Sequence, residues 1–213
     1  MSFFENTRKP VGLGGKIMVA MMNLGHSPVA QWGLQFLNVA PDAKVLDCGC
    51  GGGANMKRLL KKCPQGIVKG IDYSPVSVEK SKKVNDAAIA EGRCAVLQGS
   101  VADMMFADNW FDAVTAFETV YFWPDLPRCF REIWRVLKDN GVLIAPTFTH
   151  AGNSFRGKVR AFFMRLAGFP LHSRWTSEEY LRFLSQNGWT VRKSAVLKAS
   201  FPLTYAECVK SEV

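Results

Sequence analysis

The stretch VLDCGCGGG, at residues 45–53, limits the possible folds of this chain more than any other. Val45 and Leu46 complete a short apolar run, which predicts a buried strand over residues 44–48. The glycines that follow predict a tight loop, and a ligand can approach its backbone closely because glycine has no Cβ atom. The helix predicted over residues 54–62 would offer free N–H groups and a positive dipole end to that ligand. This order of elements predicts a nucleotide-binding site.

Two acidic residues narrow the kind of nucleotide. Gly49, Gly51 and Ala54 fit the dinucleotide fingerprint G-x-G-x-x-G/A, but short glycine patterns also occur by chance. Asp47 stands just before the first glycine, where it would repel a pyrophosphate and could bind an ammonium group. Asp72 ends the next apolar run, IVKGID, about where an acid that holds ribose hydroxyls is expected.

The run D-x-G-x-G-G-G, followed by G-I-D-Y-S, resembles the S-adenosylmethionine-dependent methyltransferases with a Rossmann-like fold. It is most similar to the small UbiE-like group, which methylates quinones, sterols and other small molecules. The resemblance covers residues 40–148 well and the remainder loosely. It implies an α/β fold with a doubly wound, mostly parallel seven-stranded sheet, an N-terminal helical lid and a helical insert after the fifth strand. It also implies that S-adenosylmethionine is the methyl donor and that the acceptor is small and partly apolar.

The resemblance assigns a cofactor site residue by residue. Asp72 would hold the ribose, and Tyr73 would either pack against adenine or be a half-exposed residue at a strand end. The family often has an Asp where this chain has Ser100, so adenine would be recognised by backbone groups of Ser100 and Val101, or by Asp103. The predicted cofactor-binding residues are Asp47, Gly49, Cys50, Gly51, Asp72, Tyr73, Ser100, Val101 and Phe117.

The loop after the fourth predicted strand, Ala113–Phe117, should border the reacting methyl group, because ligands of open parallel sheets lie beyond the carboxyl ends of the strands. Tyr121 and Trp123 in this loop could line an apolar acceptor, or they could belong to the core. A base is needed only if the acceptor must lose a proton. The candidates are His26, Glu118, Tyr121, His150 and His172, of which the first three are favoured by their positions.

Periodicity and capping residues predict the remaining elements. The helix over residues 126–138 should bury Phe130, Ile133, Trp134 and Leu137 on one face. A capping box, Thr176 with Glu179, should open a later helix. The other predicted helices are Lys16–Leu24, Val29–Leu37, Pro75–Ala90 and Thr176–Asn187, and the other strands are Cys94–Gln98, Gly141–Pro146, Trp189–Leu197 and Ala199–Val209.

Nothing in the sequence divides the chain, so its 213 residues predict a single domain. Its parts would be lid helices in 1–40, a cofactor-binding core in 41–150, a substrate cap in 151–175 and a closing helix and hairpin in 176–213. The absence of a long apolar stretch and of a signal peptide predicts a cytoplasmic protein. Six cysteines without a C-x-x-C pair predict reduced thiols and no metal site.

The net charge of +9 is uneven, since residues 151–213 hold ten basic residues against four acidic ones. The basic amphipathic segment Ser154–Phe169 is best explained as a substrate cap, although it could also contact an anionic membrane. The aromatic loop points to a small-molecule partner rather than a nucleic acid. Two alternatives from other classes are an NAD- or flavin-dependent oxidoreductase and a non-catalytic protein that binds S-adenosylmethionine or RNA on the same fold.

Overall fold

A computed structural model describes residues 27–149, 175–198 and 202–211. The first part of the predicted lid and almost all of the predicted cap therefore lie outside the described residues, as do His26, His150 and His172. The helices are α1 (Ser27–Leu34), α2 (Ala54–Lys62), α3 (Pro75–Val84), α4 (Asp86–Ala90), α5 (Leu126–Val136) and α6 (Ser177–Gln186). The strands are β1 (Lys44–Cys48), β2 (Ile67–Asp72), β3 (Cys94–Gln98), β4 (Phe111–Thr115), β5 (Leu137–Ile144), β6 (Thr147–Phe148), β7 (Trp189–Leu197) and β8 (Leu203–Lys210).

These strands form one sheet in which the order along the main path is β3-β2-β1-β4-β5-β8-β6, and β7 pairs with β8. The pairs from β3 to β5 are parallel, whereas β5, β6 and β7 all pair with β8 in the antiparallel sense. The predicted doubly wound, mostly parallel α/β fold is confirmed. The described residues contain eight strands rather than the seven expected, because the two-residue β6 had no signal in the sequence.

Alternate residues of the central strands enter cores on the two faces of the sheet. Val45 packs with the apolar sides of α1, α2 and α3 on one face. Leu46, the next residue, packs with α5 and α6 on the other face. This two-sided burial explains why two consecutive residues of β1, Val45 and Leu46, are both apolar.

The helix predicted over Pro75–Ala90 is interrupted at Asn85, so that prediction was wrong in its continuity. The side-chain amide of Asn85 donates to Ser81 O at 2.9 Å and to Gly53 O at 3.1 Å. It therefore closes the end of α3 and ties it to the start of α2. Gly53 has φ +81°, and a Cβ there would lie 2.6 Å from Asn85 Nδ2. Only glycine allows this close approach.

Three strands, β4, β5 and β8, are shifted from their predicted bounds. β4 ends at Thr115, so Phe117 lies beyond the strand and not at its end. Leu137 begins β5 and pairs with Phe111, which ends α5 earlier than predicted because strand pairing overrides the helical period. Trp134 is 36% exposed and lies outside the core, so its predicted burial was wrong.

The closing part agrees with the sequence more closely. Glu179 N donates to Thr176 Oγ1 at 3.2 Å and Thr176 N donates to Glu179 Oε2 at 2.7 Å, which confirms the capping box that opens α6. β7 has the predicted bounds, whereas β8 begins at Leu203 and ends at Lys210. In the described part of the chain, no helix has both the length and the apolar composition needed to cross a membrane.

Candidate active site

The candidate site lies where the sheet changes its direction of winding. β1 has β2 on one side and β4 on the other, and ligands of open α/β sheets bind beyond the carboxyl ends of the strands at such a switch point. Asp47 on β1 and Thr115 on β4 are register partners at this edge. Asp72 ends the neighbouring strand β2. The fold thus brings the two predicted acids to the same edge of the sheet.

The glycine loop is fastened to the end of β2 by its own backbone. Gly49 N and Cys50 N donate to Ile71 O at 2.8 and 3.1 Å. Gly49 has φ +69°, and a Cβ there would lie 2.1 Å from Thr119 Oγ1. Gly51 has φ +52°, but among the described residues beyond its chain neighbours no heavy atom lies within 4 Å of the position its Cβ would take. A ligand can therefore reach the backbone at Gly51.

Asp72 is held by the backbone on both of its carboxylate oxygens. Oδ2 accepts from Gly51 N at 2.8 Å and Oδ1 accepts from Ser74 N at 2.9 Å. Burial raises the pKa of Asp72, while the hydrogen bonds from Ser74 and Gly51 oppose that rise. Each carboxylate oxygen keeps a second lone pair, so the fixed carboxylate can still accept hydrogen bonds from two hydroxyl groups.

Asp47 is 2% exposed, and only one of its two carboxylate oxygens accepts a hydrogen bond from the described residues. The Thr115 hydroxyl donates to Oδ1 at 2.7 Å, whereas Oδ2 is buried and accepts no hydrogen bond from any residue that the structure describes. Burial raises the pKa of Asp47 to about 7; the hydrogen bond from Thr115 lowers it, and the nearby charge of Asp72 raises it further. A buried carboxylate oxygen without a partner is costly, so this site is suited to a cationic group.

The other predicted cofactor-binding residues surround this pair to different extents. Tyr73 is 55% exposed beside Asp72. Gly99 N donates to Asp72 O at 3.0 Å, which brings the loop after β3 to the same edge. In that loop Ser100 Oγ accepts from Ala102 N at 3.2 Å, and the Val101 side chain is buried in the core. Val101 can therefore offer a ligand only its backbone.

Cys50 likewise turns its side chain inward. Its thiol is 4.0 Å from Ser81 Oγ and is buried, so its contribution to the loop is a backbone one. All six cysteines are free and buried. Among the residues that the structure describes, no three His, Cys, Asp or Glu side chains are grouped so that they could hold a metal ion.

Phe117 lies partly buried where the chain leaves β4, and α1 packs directly against it. A Cβ on Gly33 of α1 would lie 2.6 Å from Phe117 Cε1 and 3.4 Å from Pro146 Cγ. Helix α1 therefore lies against this end of the sheet through a glycine, a contact that was not predicted from the sequence. The lack of a side chain at Gly33 between the apolar positions of α1 was its only signal.

The loop that follows holds the two remaining acid–base candidates. Glu118 has φ +54° and is 6% exposed, and its N–H donates to Pro146 O at 3.0 Å. A buried non-glycine residue in this backbone region is strained, which is common at functional sites. Burial, and then the negative charge of Glu118, raises the pKa of Tyr121 well above its ordinary value. Tyr121 therefore stays a neutral phenol at physiological pH and is suited to donate a hydrogen bond rather than to act as a base.

The structure gives two side chains, Trp123 and Thr115, roles that were not predicted from the sequence. Trp123 packs against Phe130, with ring centroids 5.6 Å apart, and belongs to the core, not to an acceptor wall. Thr115, which no motif singled out, contacts Asp47 directly. A threonine in the otherwise apolar run AVTAF was the signal for it.

Comparisons with known proteins agree with this geometry. Residues 46–145 match the family model described as "Methyltransferase domain". Cycloartenol-C-24-methyltransferase 1 of Oryza sativa subsp. japonica is 37% identical over 102 residues, which are 48% of this chain and 29% of that enzyme. The match thus spans less than a third of that curated relative.

Two further comparisons cover more of the chain. The 2-phytyl-1,4-naphtoquinone methyltransferase of Trichormus variabilis (strain ATCC 29413 / PCC 7937) is 26% identical over 166 residues, which cover 77% of this chain and 72% of that enzyme. The crystal structure of geranyl diphosphate C-methyltransferase from Streptomyces coelicolor A3(2) has a TM-score of 0.72 and 16% identity, and the superposition covers 95% of this chain and 87% of that one. At this identity the structural match speaks for the fold alone.

Proposed function

We propose that this chain, whose residues 46–145 match the methyltransferase family model, is an S-adenosylmethionine-dependent methyltransferase with a Rossmann-like fold that transfers the methyl group to a small, largely apolar acceptor. One observation carries the proposal. Within the described part of the chain, Asp47 places a buried carboxylate oxygen without a hydrogen-bond donor beside a glycine loop that is open at Gly51. A dinucleotide would bring its pyrophosphate to this loop, whereas the amino acid end of S-adenosylmethionine brings an ammonium group.

The chain's own residues fit the parts of this cofactor. Asp47 would accept from the ammonium group, and Gly51 leaves room for the ligand against the backbone. The carboxylate of Asp72, fixed by Gly51 N and Ser74 N, would accept from the ribose hydroxyls. Tyr73 would pack on one side of adenine, and the backbone of Ser100 and Val101 would meet its edge.

The cofactor supplies an activated methyl group on a positively charged sulfur when it is bound. The protein must align an acceptor with that methyl group and exclude water. Phe117, Glu118 and Tyr121 leave β4 on this side of the sheet and would border the acceptor. Glu118 would receive a proton if the acceptor loses one, while Tyr121, held neutral by burial, would donate a hydrogen bond or form an apolar wall.

Two observations support the proposed acceptor class: the aromatic side chains near the site and the substrates named for two relatives. The loop after β4 is aromatic: the Tyr121 ring centroid lies 4.5 Å from that of Phe122 and 6.2 Å from that of Phe148. The named relatives act on a sterol and on a phytyl naphthoquinone. Both support an acceptor with a large apolar part. Assignment to the UbiE-like group, a single-domain organisation with a lid and a cap, a cytoplasmic location and contact with an anionic membrane stay predictions from the sequence.

The test is turnover on a panel of sterols, prenylated quinones and prenyl diphosphates, with S-adenosylhomocysteine measured by mass spectrometry. We expect product with at least one apolar acceptor and at least a tenfold lower rate for Glu118→Gln if the acceptor loses a proton. The exposed Glu91→Gln should leave the rate unchanged. If S-adenosylhomocysteine binds but no apolar acceptor turns over, the proposed acceptor class is wrong.

A further inference from the structure

Under the proposed function, on which this proposal rests, the ammonium group of the cofactor meets Asp47. Asp47 and Thr115 face each other across the pair of strands at the switch point, as register partners of β1 and β4. The Thr115 hydroxyl is fully buried and lies 2.7 Å from Asp47 Oδ1 and 3.3 Å from Leu46 O. Two acceptors therefore lie within reach of a single hydroxyl proton.

This geometry satisfies Asp47 in either protonation state. When Asp47 is a carboxylate, Thr115 donates to Oδ1. When Asp47 is protonated, the carboxyl group can donate to Thr115 Oγ1, and the hydroxyl proton can turn to Leu46 O. In both states no described residue donates a hydrogen bond to Oδ2, so this oxygen can accept one from a ligand. We propose that Thr115 is a positioning residue that holds Asp47 for proton exchange, so that the ammonium group of the cofactor replaces a proton on Asp47.

The exchange balances in charge and atoms. Without ligand near neutral pH, a fraction of the protein carries the Asp47 proton, which offsets the cost of a buried charge. On binding, the ammonium group donates to the carboxylate, and the Asp47 proton leaves to solvent. The ligand's amino group keeps its own protons throughout.

The ionisable groups that act on Asp47 do not obscure this exchange. Asp72, at the end of β2, adds like-charge repulsion. Burial, and then the nearby carboxylates, raise the pKa values of the Cys48 and Cys50 thiols well above the ordinary value for a thiol. Both thiols therefore stay neutral between pH 5 and pH 8. Since the pKa of Asp72 is also raised, a control ligand that contacts only Asp72 is required.

The experiment is calorimetric titration from pH 5.5 to 8.5 with two ligands. S-adenosylhomocysteine carries the amino group, whereas 5′-methylthioadenosine carries the same adenosine without it. We expect the affinity for S-adenosylhomocysteine to fall about tenfold for each pH unit below about 7, because the binding-competent fraction falls by that factor. Titration of Asp72 would affect both ligands alike, so the ratio of the two affinities isolates Asp47. Near pH 7, buffers of different ionisation enthalpy should show net release of about half a proton.

Two variants test the part played by Thr115. Thr115→Val keeps the side-chain shape but removes the hydroxyl, so the pH midpoint of the affinity ratio should rise by about one unit, since a hydrogen bond to the charged form is lost. At pH 7 the affinity for S-adenosylhomocysteine should then fall several-fold, with less loss at pH 8.5. Thr115→Ser should keep the wild-type midpoint.

The outcomes separate this inference from the proposed function. A ratio that stays flat from pH 5.5 to 8.5 in the wild-type protein, without proton release, would overturn the exchange, and this measurement does not depend on how well a variant folds. A Thr115→Val protein that loses affinity equally at every pH would show that Thr115 acts only on packing. Failure of S-adenosylhomocysteine to bind at any pH would instead contradict the proposed function.

Discussion

Replacing Asp72 by Asn tests the carboxylate that organises the site. In the wild-type protein both Asp72 oxygens accept backbone hydrogen bonds, from Gly51 N at 2.8 Å and from Ser74 N at 2.9 Å. An Asn amide has one acceptor oxygen, so one of the two N–H groups would lose its partner. That loss costs about 1–3 kcal/mol in the free energy of unfolding, and relief of a buried charge offsets part of it.

The cost in ligand affinity should be larger than the cost in stability. Hydrogen bonds to a charged group contribute about 1.5–3 kcal/mol, against about 1 kcal/mol for neutral pairs. The loss of charge opposite the ribose hydroxyls should therefore weaken S-adenosylhomocysteine about ten- to hundredfold. 5′-Methylthioadenosine should lose the same factor, since it carries the same ribose.

The assay is calorimetry at pH 8, with unfolding by urea measured in parallel. Asp42→Asn is the matched control, because Asp42 is exposed and precedes β1 at the opposite edge of the sheet. It should bind both ligands like the wild-type protein. A folded Asp72→Asn protein whose affinity for both ligands lies within twofold of wild type would refute the assignment of Asp72 to the ribose.

Three further predictions concern stability and the loop. Gly51 and Gly92 have φ +52° and +74°, and no described atom beyond their chain neighbours lies within 4 Å of an added Cβ, so Gly51→Ala and Gly92→Ala should each cost about 1–2 kcal/mol of unfolding free energy. Calorimetry should show weaker S-adenosylhomocysteine binding only for Gly51→Ala. If both variants bind S-adenosylhomocysteine like the wild-type protein, the ligand does not lie against Gly51. Asp47→Asn should stabilise the ligand-free protein by roughly 2–4 kcal/mol at pH 8 and hardly at pH 4. The pKa of Asp47 is about 7 in the folded protein and 3.8 ordinarily, so the wild-type protein loses stability as the pH rises from about 4 to about 7. Urea melts at the two pH values would contradict this prediction if the variant were no more stable than the wild-type protein at pH 8. Lys210→Met should cost about 1–2 kcal/mol of unfolding free energy in urea melts, because the Lys210 side chain is 5% exposed and its ammonium group donates to Asn109 Oδ1 at 2.8 Å. Replacing its exposed ion-pair partner, Asp139, by Asn should cost under about 1 kcal/mol. Equal costs for the two variants would contradict this prediction.

The elements around the glycine loop could be predicted because their signals are local. β1, α2, β2 and β3 have the predicted bounds, since apolar runs, glycines and the Ser74 cap define them within a few residues. The break at Asn85 was missed because it depends on a hydrogen bond to Gly53 O, far away in the sequence. The prediction that α5 continues through Leu137 was wrong for a similar reason, because Leu137 pairs with Phe111 of the neighbouring strand.

The same distinction holds for the site. Asp47, Gly51 and Asp72 were predicted because motif spacing carries them. Thr115 was not, since its importance comes from lying opposite Asp47 in the register of two strands, and a sequence does not show register. Tyr121 was proposed as a base from its position, but burial next to Glu118 gives it the opposite character.

The central claim is that this fold binds S-adenosylmethionine and not a dinucleotide. The most direct measurement is calorimetric titration of the protein with S-adenosylhomocysteine and, in a parallel run, with NADH, each repeated on Asp72→Asn. The account predicts micromolar binding of S-adenosylhomocysteine, weakened at least tenfold in the variant, and no binding of NADH. Binding of NADH, or of neither ligand, would contradict it.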